Sequence, residues 1–300
     1  MKILLFGKGG QVGWELQRSL APLGELVALG TGSQDLCGDF TDLDGIIQTV
    51  RAVAPDIIVN AAAHTAVDKA ESEPDLSRTI NALAPGVLAQ EAKRSGAWLV
   101  HYSTDYVFDG SGDKPWLETD PTGPLGVYAK TKLAGEEAIR ATDCQHLIFR
   151  TSWVYAARGG NFAKTMLRLA RERDSLTVID DQIGAPTGAD LLADVTAHAI
   201  RSALQRPDVS GLYHLAAGGQ TSWYDYAGFI IEFARQTGID IKVAPEAIQP
   251  VPTSAFPLPA PRPKNSRLDT RKLQNTFGLN LPHWHGGIAR MLTEILERQL

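Results

Sequence analysis

The sequence is poor in cysteine, with two residues among 300. Cys37 and Cys144 stand far apart, so they form neither the close pairs of a zinc site nor the framework of a disulfide-rich domain. We interpret both as reduced packing residues, and their scarcity predicts a cytoplasmic protein.

An excess of positive charge is also missing. The chain has 29 Lys and Arg against 34 Asp and Glu, a net charge of -5. Non-specific binding to DNA or RNA requires a basic surface, so we predict no nucleic-acid partner. An anionic small ligand is still compatible with this charge, because backbone N–H groups and a few local basic side chains suffice to bind it.

Long apolar runs are absent. No segment approaches the ~18 apolar residues of a membrane helix, and the opening run at 3–6 is too short for a secretory signal. We therefore predict no membrane partner. A hydrophobic content of 44% and a charged content of 21% are those of an ordinary globular protein, with enough length for one large domain or two modest ones.

Short apolar runs alternate with segments of helical spacing through the first two thirds of the chain. The runs predict strands at 2–6, 26–29, 56–60, 99–104, 146–150 and 176–179. This alternation predicts an α/β fold built on a doubly wound parallel sheet. We expect a dinucleotide-binding core at 1–155, joined by a strand and a helix from about 176–204, and a smaller α+β substrate lobe in the remainder of 156–300.

Two features of the substrate lobe can be predicted. The segment 245–263 is rich in proline, which predicts irregular structure there. An amphipathic helix is predicted at 285–300, since Ile288, Met291, Leu292 and Ile295 share one face.

A glycine-rich turn follows the first predicted strand. Gly7, Gly10 and Gly13 stand three apart, and helical spacing begins at Trp14. A strand, a glycine turn and a helix N-terminus together predict a site for the phosphates of a dinucleotide. The spacing is G-x-x-G-x-x-G rather than G-x-G-x-x-G, and a glycine turn without a ligand is the alternative.

The end of the second strand lacks the residues that select a cofactor. The segment 30–33 has neither the acid that binds the adenosine ribose nor an arginine for a 2′-phosphate. The sequence therefore predicts NADPH or NADH without choosing between them. Asp39 is a candidate adenine partner, and the alternative is that it caps the helix beginning near Leu43.

Tyr128 and Lys132 are the main candidate catalytic residues. Residues four apart lie on one helix face, and an ammonium beside a phenol lowers the pKa of that phenol. Thr104 ends the fourth strand, where open α/β sheets bind ligands, and is placed to donate a hydrogen bond to a carbonyl. The alternative for Tyr128 and Lys132 is a half-buried tyrosine beside a solvated lysine without a catalytic role. The alternative for Thr104 is a strand residue present only for its β propensity. His64 is a weaker acid–base candidate, because a lone loop histidine is more often structural.

Four motifs together resemble the extended short-chain dehydrogenase/reductase family. They occupy 7–13, 60–68, 103–110 and 128–132, and the later segments 182–187 and 262–269 match further blocks of one branch of that family. The resemblance covers almost the whole chain. It implies a Rossmann-type core and an enzyme.

The resemblance implies reduction, by NADPH or NADH, of the 4-keto group of a dTDP-linked 6-deoxyhexulose used in envelope polysaccharides. Thr104 would hydrogen-bond the keto oxygen, Tyr128 would protonate it, and Lys132 would lower the pKa of Tyr128 and bind the nicotinamide ribose. The resemblance and the glycine turn assign to the cofactor Gly7, Gly10, Gln11, Val12, Gly13, Asp39, Phe40, Ala63, His64, Thr65, Tyr102, Tyr128 and Lys132. Thr104, Asp105 and Trp153 would contact the sugar nucleotide.

The resemblance also implies a metal site. Some family members carry Mg²⁺ at a dimer interface, and the matching positions here are Glu15, Asp190 and Glu294. Asp190 is one carbon shorter than the expected glutamate, and Mg²⁺ needs several oxygen ligands. A magnesium-bridged homodimer is thus one hypothesis, and three ordinary surface acids are the other.

Two rival functions are weaker. A sugar-nucleotide 4,6-dehydratase usually has Asp then Glu after the threonine, whereas Tyr106 follows Asp105 here. A cofactor-binding regulatory subunit often loses the tyrosine or the lysine, and both are present. The pattern favours a reductase.

Overall fold

A computed structural model describes residues 1–297. The strands are β1 Lys2–Phe6, β2 Glu25–Leu29, β3 Ile57–Asn60, β4 Trp98–Thr104, β5 His146–Thr151, β6 Val154–Tyr155, β7 Leu176–Ile179, β8 Ile183–Gly184, β9 Thr187–Gly188, β10 Gly211–His214, β11 Thr221–Ser222 and β12 Ile248–Val251. The helices are α1 Gln11–Leu20, α2 Leu43–Val53, α3 Val67–Ala70, α4 Pro74–Arg78, α5 Ala84–Ser95, α6 Val127–Ala141, α7 Phe162–Glu172, α8 Ala189–Gln205, α9 Trp223–Gln236, α10 Arg271–Phe277 and α11 Trp284–Glu297.

A six-stranded parallel sheet organises the fold. Its strand order is β10-β5-β4-β3-β1-β2, and every neighbouring pair is parallel. The chain builds outward from β1 in both directions, so the strand order reverses between β1 and β3. Sheets of this kind bind ligands in the crevice at the carboxyl ends of the strands beside such a reversal. The predicted doubly wound α/β fold is confirmed.

Apolar side chains cover both faces of this sheet. On one face, α1 and α8 contribute Leu16 and Leu192 to a core with Val100 of β4. On the other, α2 and α5 contribute Ile46 and Leu88. Every residue of β4 is buried, as expected of a central parallel strand with helices on both sides. Cys37 and Cys144 are free thiols, as predicted.

The sixth strand of the sheet differs from the predicted one. We expected the strand at 176–179 to join the core, but β7 pairs with β12 in a separate two-stranded sheet. The sixth strand is β10, which pairs with β5. The reason lies in burial: β7 alternates buried and exposed residues, which suits a strand covered on one face only. The predicted helix at 190–204 does pack on the core, as α8.

The proline-rich segment is less irregular than predicted. Ile248–Val251 forms β12, although Pro250 lies within it. Each strand of a two-stranded sheet is an edge strand, so the missing N–H of Pro250 can face outward without breaking the ladder. The expectation that 245–263 holds no regular structure is wrong at these four residues and at two short 3-10 helices, Pro245–Ala247 and Thr253–Ala255.

A second core lies among α7, α9 and α11. Met166, Ile230 and Ile288 are buried in it, and the paired strands β7 and β12 border it. The last predicted helix is present from Trp284 rather than His285, and the end of the prediction, 298–300, lies outside the described residues. The division of the chain at residue 155 stays a proposal.

None of the helices within residues 1–297 is long and apolar enough to cross a membrane.

A buried ion pair connects α6 to β5. Arg150 Nη2 lies 2.6 Å from Glu136 Oε2, Arg150 Nε lies 2.9 Å from Glu136 Oε1, and both side chains are almost completely inaccessible. Removing one partner of such a pair leaves the other charge buried and uncompensated.

We expect Glu136→Gln to lower the free energy of unfolding by ~3–5 kcal/mol, because Arg150 would stay buried without its counter-charge. Urea unfolding followed by circular dichroism measures this. The matched control is Glu172→Gln, which removes the exposed 2.8 Å pair with Arg168 on α7 and should change stability by less than ~1 kcal/mol. Equal effects of the two substitutions would contradict the prediction.

Candidate active site and cofactor cleft

One cleft holds most of the predicted site residues. It lies at the carboxyl ends of β3, β4 and β5, next to the starts of α1 and α6, and encloses about 470 Å³. Of the predicted residues, those that line it are Gly10, Gln11, Val12, Ala63, Thr65, Tyr102, Thr104, Asp105, Tyr128, Lys132 and Trp153. Segments up to 213 residues apart in sequence thus meet in this cleft (Gly10 to Trp223).

The glycine turn is tightly constrained. Gly7 has φ +86°, a left-handed conformation that favours glycine, and a side chain at Gly13 would collide with the backbone of Gly7. Helix α1 starts directly after Gly10, and no side chain caps it. The N–H groups of its first turn are therefore available to an anion, as at the pyrophosphate site of dinucleotide-binding folds. The turn fits a nicotinamide dinucleotide.

Tyr128 and Thr104 meet at the inner end of the cleft. Tyr128 lies in the first turn of α6, and its hydroxyl lies near that of Thr104 at the end of β4. Loss of surrounding water raises the pKa of Tyr128 to about 12, and the nearby Thr104 hydroxyl acts in the opposite direction. The expectation that Lys132 lowers the pKa of Tyr128 is therefore wrong for this structure.

The reason is that Lys132 binds other partners. Its Nζ donates to the carbonyl oxygen of Tyr102 at 2.6 Å and lies 3.3 Å from Nε2 of His101. Burial lowers the pKa of Lys132 to about 8, while the charge of Glu136 acts in the opposite direction. Lys132 shares the cleft with Tyr128, as helical spacing predicted, but its head group is anchored to β4.

Asp105 adds an unusual carboxyl group to the site. Its side chain is buried, Oδ1 accepts a hydrogen bond from Thr104 at 3.1 Å, and Oδ2 has no hydrogen-bond partner in the described structure. Burial raises the pKa of Asp105 to about 7, and the nearby hydroxyls of Ser266 and Thr104 act in the opposite direction. This carboxyl is thus partly protonated near neutral pH.

Trp153 is held in a strained conformation at the outer wall. Its φ is +47°, which is rare for a large side chain and points to a constraint imposed by the site. Its ring stacks on Trp223 at 3.6 Å between centroids, and Trp223 donates to Oε1 of Gln182 at 3.1 Å. Sequence reasoning missed Trp223, because an aromatic residue at the start of a helix gives no local sign that it lines a cleft 70 residues from Trp153.

A second, mostly apolar pocket of about 260 Å³ adjoins the cleft. The two share Tyr106 and Trp223. The pocket's other main lining residues are Phe162, Met166, Val178, Phe256, Leu258 and Arg262. Arg262, which binds Asp68 at 2.7 Å, supplies a positive charge at this pocket. The cleft therefore continues into the second lobe, with room for a flat ring system beside a cation.

Some predicted cofactor residues are not among those lining the cleft. Gly7 and Gly13 shape the turn from beneath, and Phe40 packs edge-on against Phe6 in the core. The His64 ring lies 3.1 Å from Glu73, while its backbone N–H binds Asn81. His64 is not among the residues that line the cleft, and its acid–base and cofactor roles stay predictions.

Asp39 does not cap the following helix. It accepts hydrogen bonds from the backbone and hydroxyl of Thr41, whereas Asp42 caps α2 through the N–H of Gly45. The alternative interpretation of Asp39 is therefore wrong. Its role as an adenine partner stays a prediction.

The three predicted metal ligands do lie close together. Glu15, Asp190 and Glu294 line one small depression together with Arg290, whose guanidinium lies 3.4 Å from Asp190. Across residues 1–297, however, no three carboxyl, imidazole or thiol groups are arranged to hold a metal ion. The magnesium site, and its sharing between two copies, stays a prediction.

Comparison with known proteins agrees with this geometry. The family model described as "RmlD substrate binding domain" matches residues 1–297. A dTDP-4-dehydrorhamnose reductase of Escherichia coli K12 is 63% identical over 98% of both chains. Among solved structures, a dTDP-4-dehydrorhamnose reductase of Clostridium acetobutylicum has a TM-score of 0.86 at 38% identity, covering 99% of this chain and 100% of that one.

A dTDP-4-dehydrorhamnose reductase of Bacillus anthracis, solved in complex with NADP, also has a TM-score of 0.86, at 33% identity over 98% of this chain and 99% of that one. The family match and these similarities extend over nearly the full length of each protein, so they include the cleft as well as the sheet. The chain belongs to the family described as the RmlD substrate binding domain.

Proposed function

We infer that this chain is an NAD(P)H-dependent dTDP-4-dehydrorhamnose reductase, which reduces the 4-keto group of its substrate to give dTDP-L-rhamnose for envelope polysaccharides. One observation carries the inference. The hydroxyls of Thr104 and Tyr128 meet at one end of a cleft whose other end is the N-terminus of α1. A carbonyl substrate and a dinucleotide cofactor can thus bind side by side in this cleft.

The glycine turn and the cleft wall would hold the cofactor. The N–H groups at the start of α1 would bind its pyrophosphate, and Ala63, Thr65 and Tyr102 would lie along it. When bound, the nicotinamide supplies the hydride that reduces the ketone. We propose Lys132 as the residue that binds the nicotinamide ribose.

Tyr128 is suited to donate the proton. Its raised pKa keeps the phenol protonated near neutral pH, and the reduction of a ketone requires a proton for the new hydroxyl. Thr104 accepts from the N–H of Tyr106 at 3.2 Å and donates its one hydroxyl proton to Asp105. We propose that this proton turns to the keto oxygen when the substrate binds, so that Thr104 orients that oxygen and Tyr128 protonates it.

The second lobe would bind the nucleotide half of the substrate. The apolar pocket beside Trp223 has room for a pyrimidine base, and Arg262 would attract the diphosphate. The sugar would then lie between Trp153 and Thr104, with Asp105 within reach of its hydroxyls. We further propose a homodimer in the cytoplasm, where the two free cysteines would stay reduced.

The rival dehydratase function has less support. Elimination of water needs a second acid–base residue beside the threonine. Tyr106 occupies that position, and its ring meets the Tyr128 ring edge-on at 5.9 Å. The regulatory-subunit alternative is disfavoured because Thr104, Tyr128 and Lys132 all line the cleft.

The function is tested by incubating the purified protein with NADPH, then NADH, and a panel of 4-keto sugar nucleotides. Loss of the reduced nicotinamide absorbance with the dTDP-linked 6-deoxy-4-ketohexose, and formation of the matching alcohol by mass spectrometry, is expected. Elimination of water from a sugar nucleotide, or no turnover with any member of the panel, would overturn the proposal.

We expect Tyr128→Phe to lower turnover by ~10²-fold or more, because the proton donor is lost while the ring remains. The Kd for NADPH, measured by fluorescence titration, should stay within about threefold of wild type, since the phenyl ring preserves the packing. Tyr224→Phe is the control, since Tyr224 lies on α9 among the residues bordering the second core. Wild-type turnover in Tyr128→Phe would show that another group donates the proton.

We expect Gly13→Ala to weaken NADPH binding about tenfold or more, because the added methyl would push the Gly7 backbone out of the turn. The control is Gly9→Ala in the same turn, where the added methyl meets no atom within 4 Å. Titration of both variants by quenching of tryptophan fluorescence makes the comparison. If Gly9→Ala weakened binding as much as Gly13→Ala, the tight turn would not be the cause.

A further inference from the structure

Behind the cleft, three polar side chains from three elements form a buried cluster. Asn60 ends β3, His101 lies in the middle of β4, and Lys132 lies one turn after Tyr128 on α6. Each is at most 2% exposed. The proposed mechanism gives no role to Asn60 or His101, so the cluster needs its own explanation.

The orientation of the Asn60 amide is fixed by the backbone. Its Oδ1 accepts the N–H of Ala62 at 3.0 Å, so its Nδ2 is the atom that faces Nδ1 of His101, also at 3.0 Å. An amide nitrogen can only donate. Nδ1 of His101 must therefore accept, and the ring proton of a neutral His101 lies on Nε2.

This tautomer creates a conflict with Lys132. Nε2 of His101 lies 3.3 Å from Nζ of Lys132, so an N–H of the ring points at the lysine nitrogen. An ammonium there has only donors, whereas a neutral amine has a lone pair that accepts the ring N–H. The Asn60 amide cannot flip without losing its hydrogen bond from the N–H of Ala62, whereas Lys132 can resolve the conflict by losing a proton.

We propose that His101, held in its Nε2–H tautomer by Asn60, is a positioning residue that sets the protonation state of Lys132. The ammonium form loses a hydrogen bond to His101 that the neutral amine makes. Both forms keep the 2.6 Å bond to the carbonyl of Tyr102. Lys132 is thereby held in a state that exchanges its proton close to physiological pH.

The surrounding charges agree with this arrangement. On α6, Glu136 favours the ammonium but is itself bound by Arg150 of β5, and Tyr128 lies one turn away. Asp105, which follows β4, lines the same cleft. Burial and the charge of Lys132 hold the pKa of His101 well below its usual value, so the ring is neutral. Burial holds the pKa of Lys132 at about 8.

The first test measures the tautomer of His101 directly and does not depend on enzymatic activity. Protein labelled with ¹⁵N-histidine has seven pairs of imidazole nitrogen signals, one pair for each histidine, and the pair that disappears in His101→Gln belongs to His101. We expect a protonated Nε2 and an unprotonated Nδ1 in the wild type. In Asn60→Asp, the new carboxylate accepts from Nδ1, so the proton should move to Nδ1.

The second test follows the protonation of Lys132 through the pH dependence of kcat/KM, and it rests on the proposed reductase function. If the ammonium is the active form, activity falls as pH rises through the pKa of Lys132, near pH 8 in the wild type. In His101→Gln, the new amide oxygen can accept a hydrogen bond from the Lys132 ammonium. In Asn60→Asp, the ring proton of His101 moves to Nδ1, so Nε2 can accept a hydrogen bond from that ammonium. Both variants should shift the alkaline fall of kcat/KM upward by about one pH unit, because the charged form of Lys132 gains one hydrogen bond.

The control is His198→Gln, which removes an exposed ring bound to the carbonyl of Phe277 and should leave the pH profile unchanged. Thermal unfolding identifies any variant that fails to fold. In that case the imidazole spectrum of the wild type and the pH profile of the remaining variant test the proposal. A proton on Nδ1 in the wild type would overturn the proposal, as would an alkaline fall that stays near pH 8 in both variants. Absence of reductase activity would reject the proposed function while the imidazole spectrum still decided the tautomer.

Discussion

The hydrogen bond from Lys132 to the carbonyl of Tyr102 connects the catalytic helix to the central sheet. It joins α6 to the buried strand β4, whose last residue is Thr104. Because Tyr128 lies one turn before Lys132, fixing the lysine also fixes the phenol beside Thr104. The buried pair of Glu136 and Arg150 attaches the next turn of α6 to β5. Two successive turns are thus held by polar contacts that solvent does not weaken.

Burial, rather than mutual charge, controls the ionisation of this site. The pKa of Tyr128 and that of Asp105 are raised and that of Lys132 is lowered, each mainly because the charged form loses water. All three groups are thereby shifted toward their neutral forms. A neutral phenol is the form that can give a proton to a reduced carbonyl, which is the role proposed for Tyr128.

The second lobe completes the cleft. Trp153 follows β5 and Trp223 begins α9, and their stacked rings form a wall that neither part of the chain provides alone. The strained backbone of Trp153 occurs where its ring packs against both Trp223 and Gly184. The sheet therefore supplies the reacting groups, and the lobe closes the space in which a sugar nucleotide would lie.

The local sequence determined the parallel sheet, the glycine turn and the helical spacing of Tyr128 and Lys132. These depend on short-range patterns: apolar runs, glycines three apart, and side chains four apart on a helix. It also placed Thr104 at a strand end, where ligands bind.

Only the tertiary structure decided that β10 rather than β7 completes the sheet, since both are short apolar runs of similar appearance. It alone turned the head group of Lys132 toward Tyr102 and His101, and brought Trp223 onto Trp153. These outcomes depend on burial and on contacts between residues far apart in the chain, which no local pattern encodes.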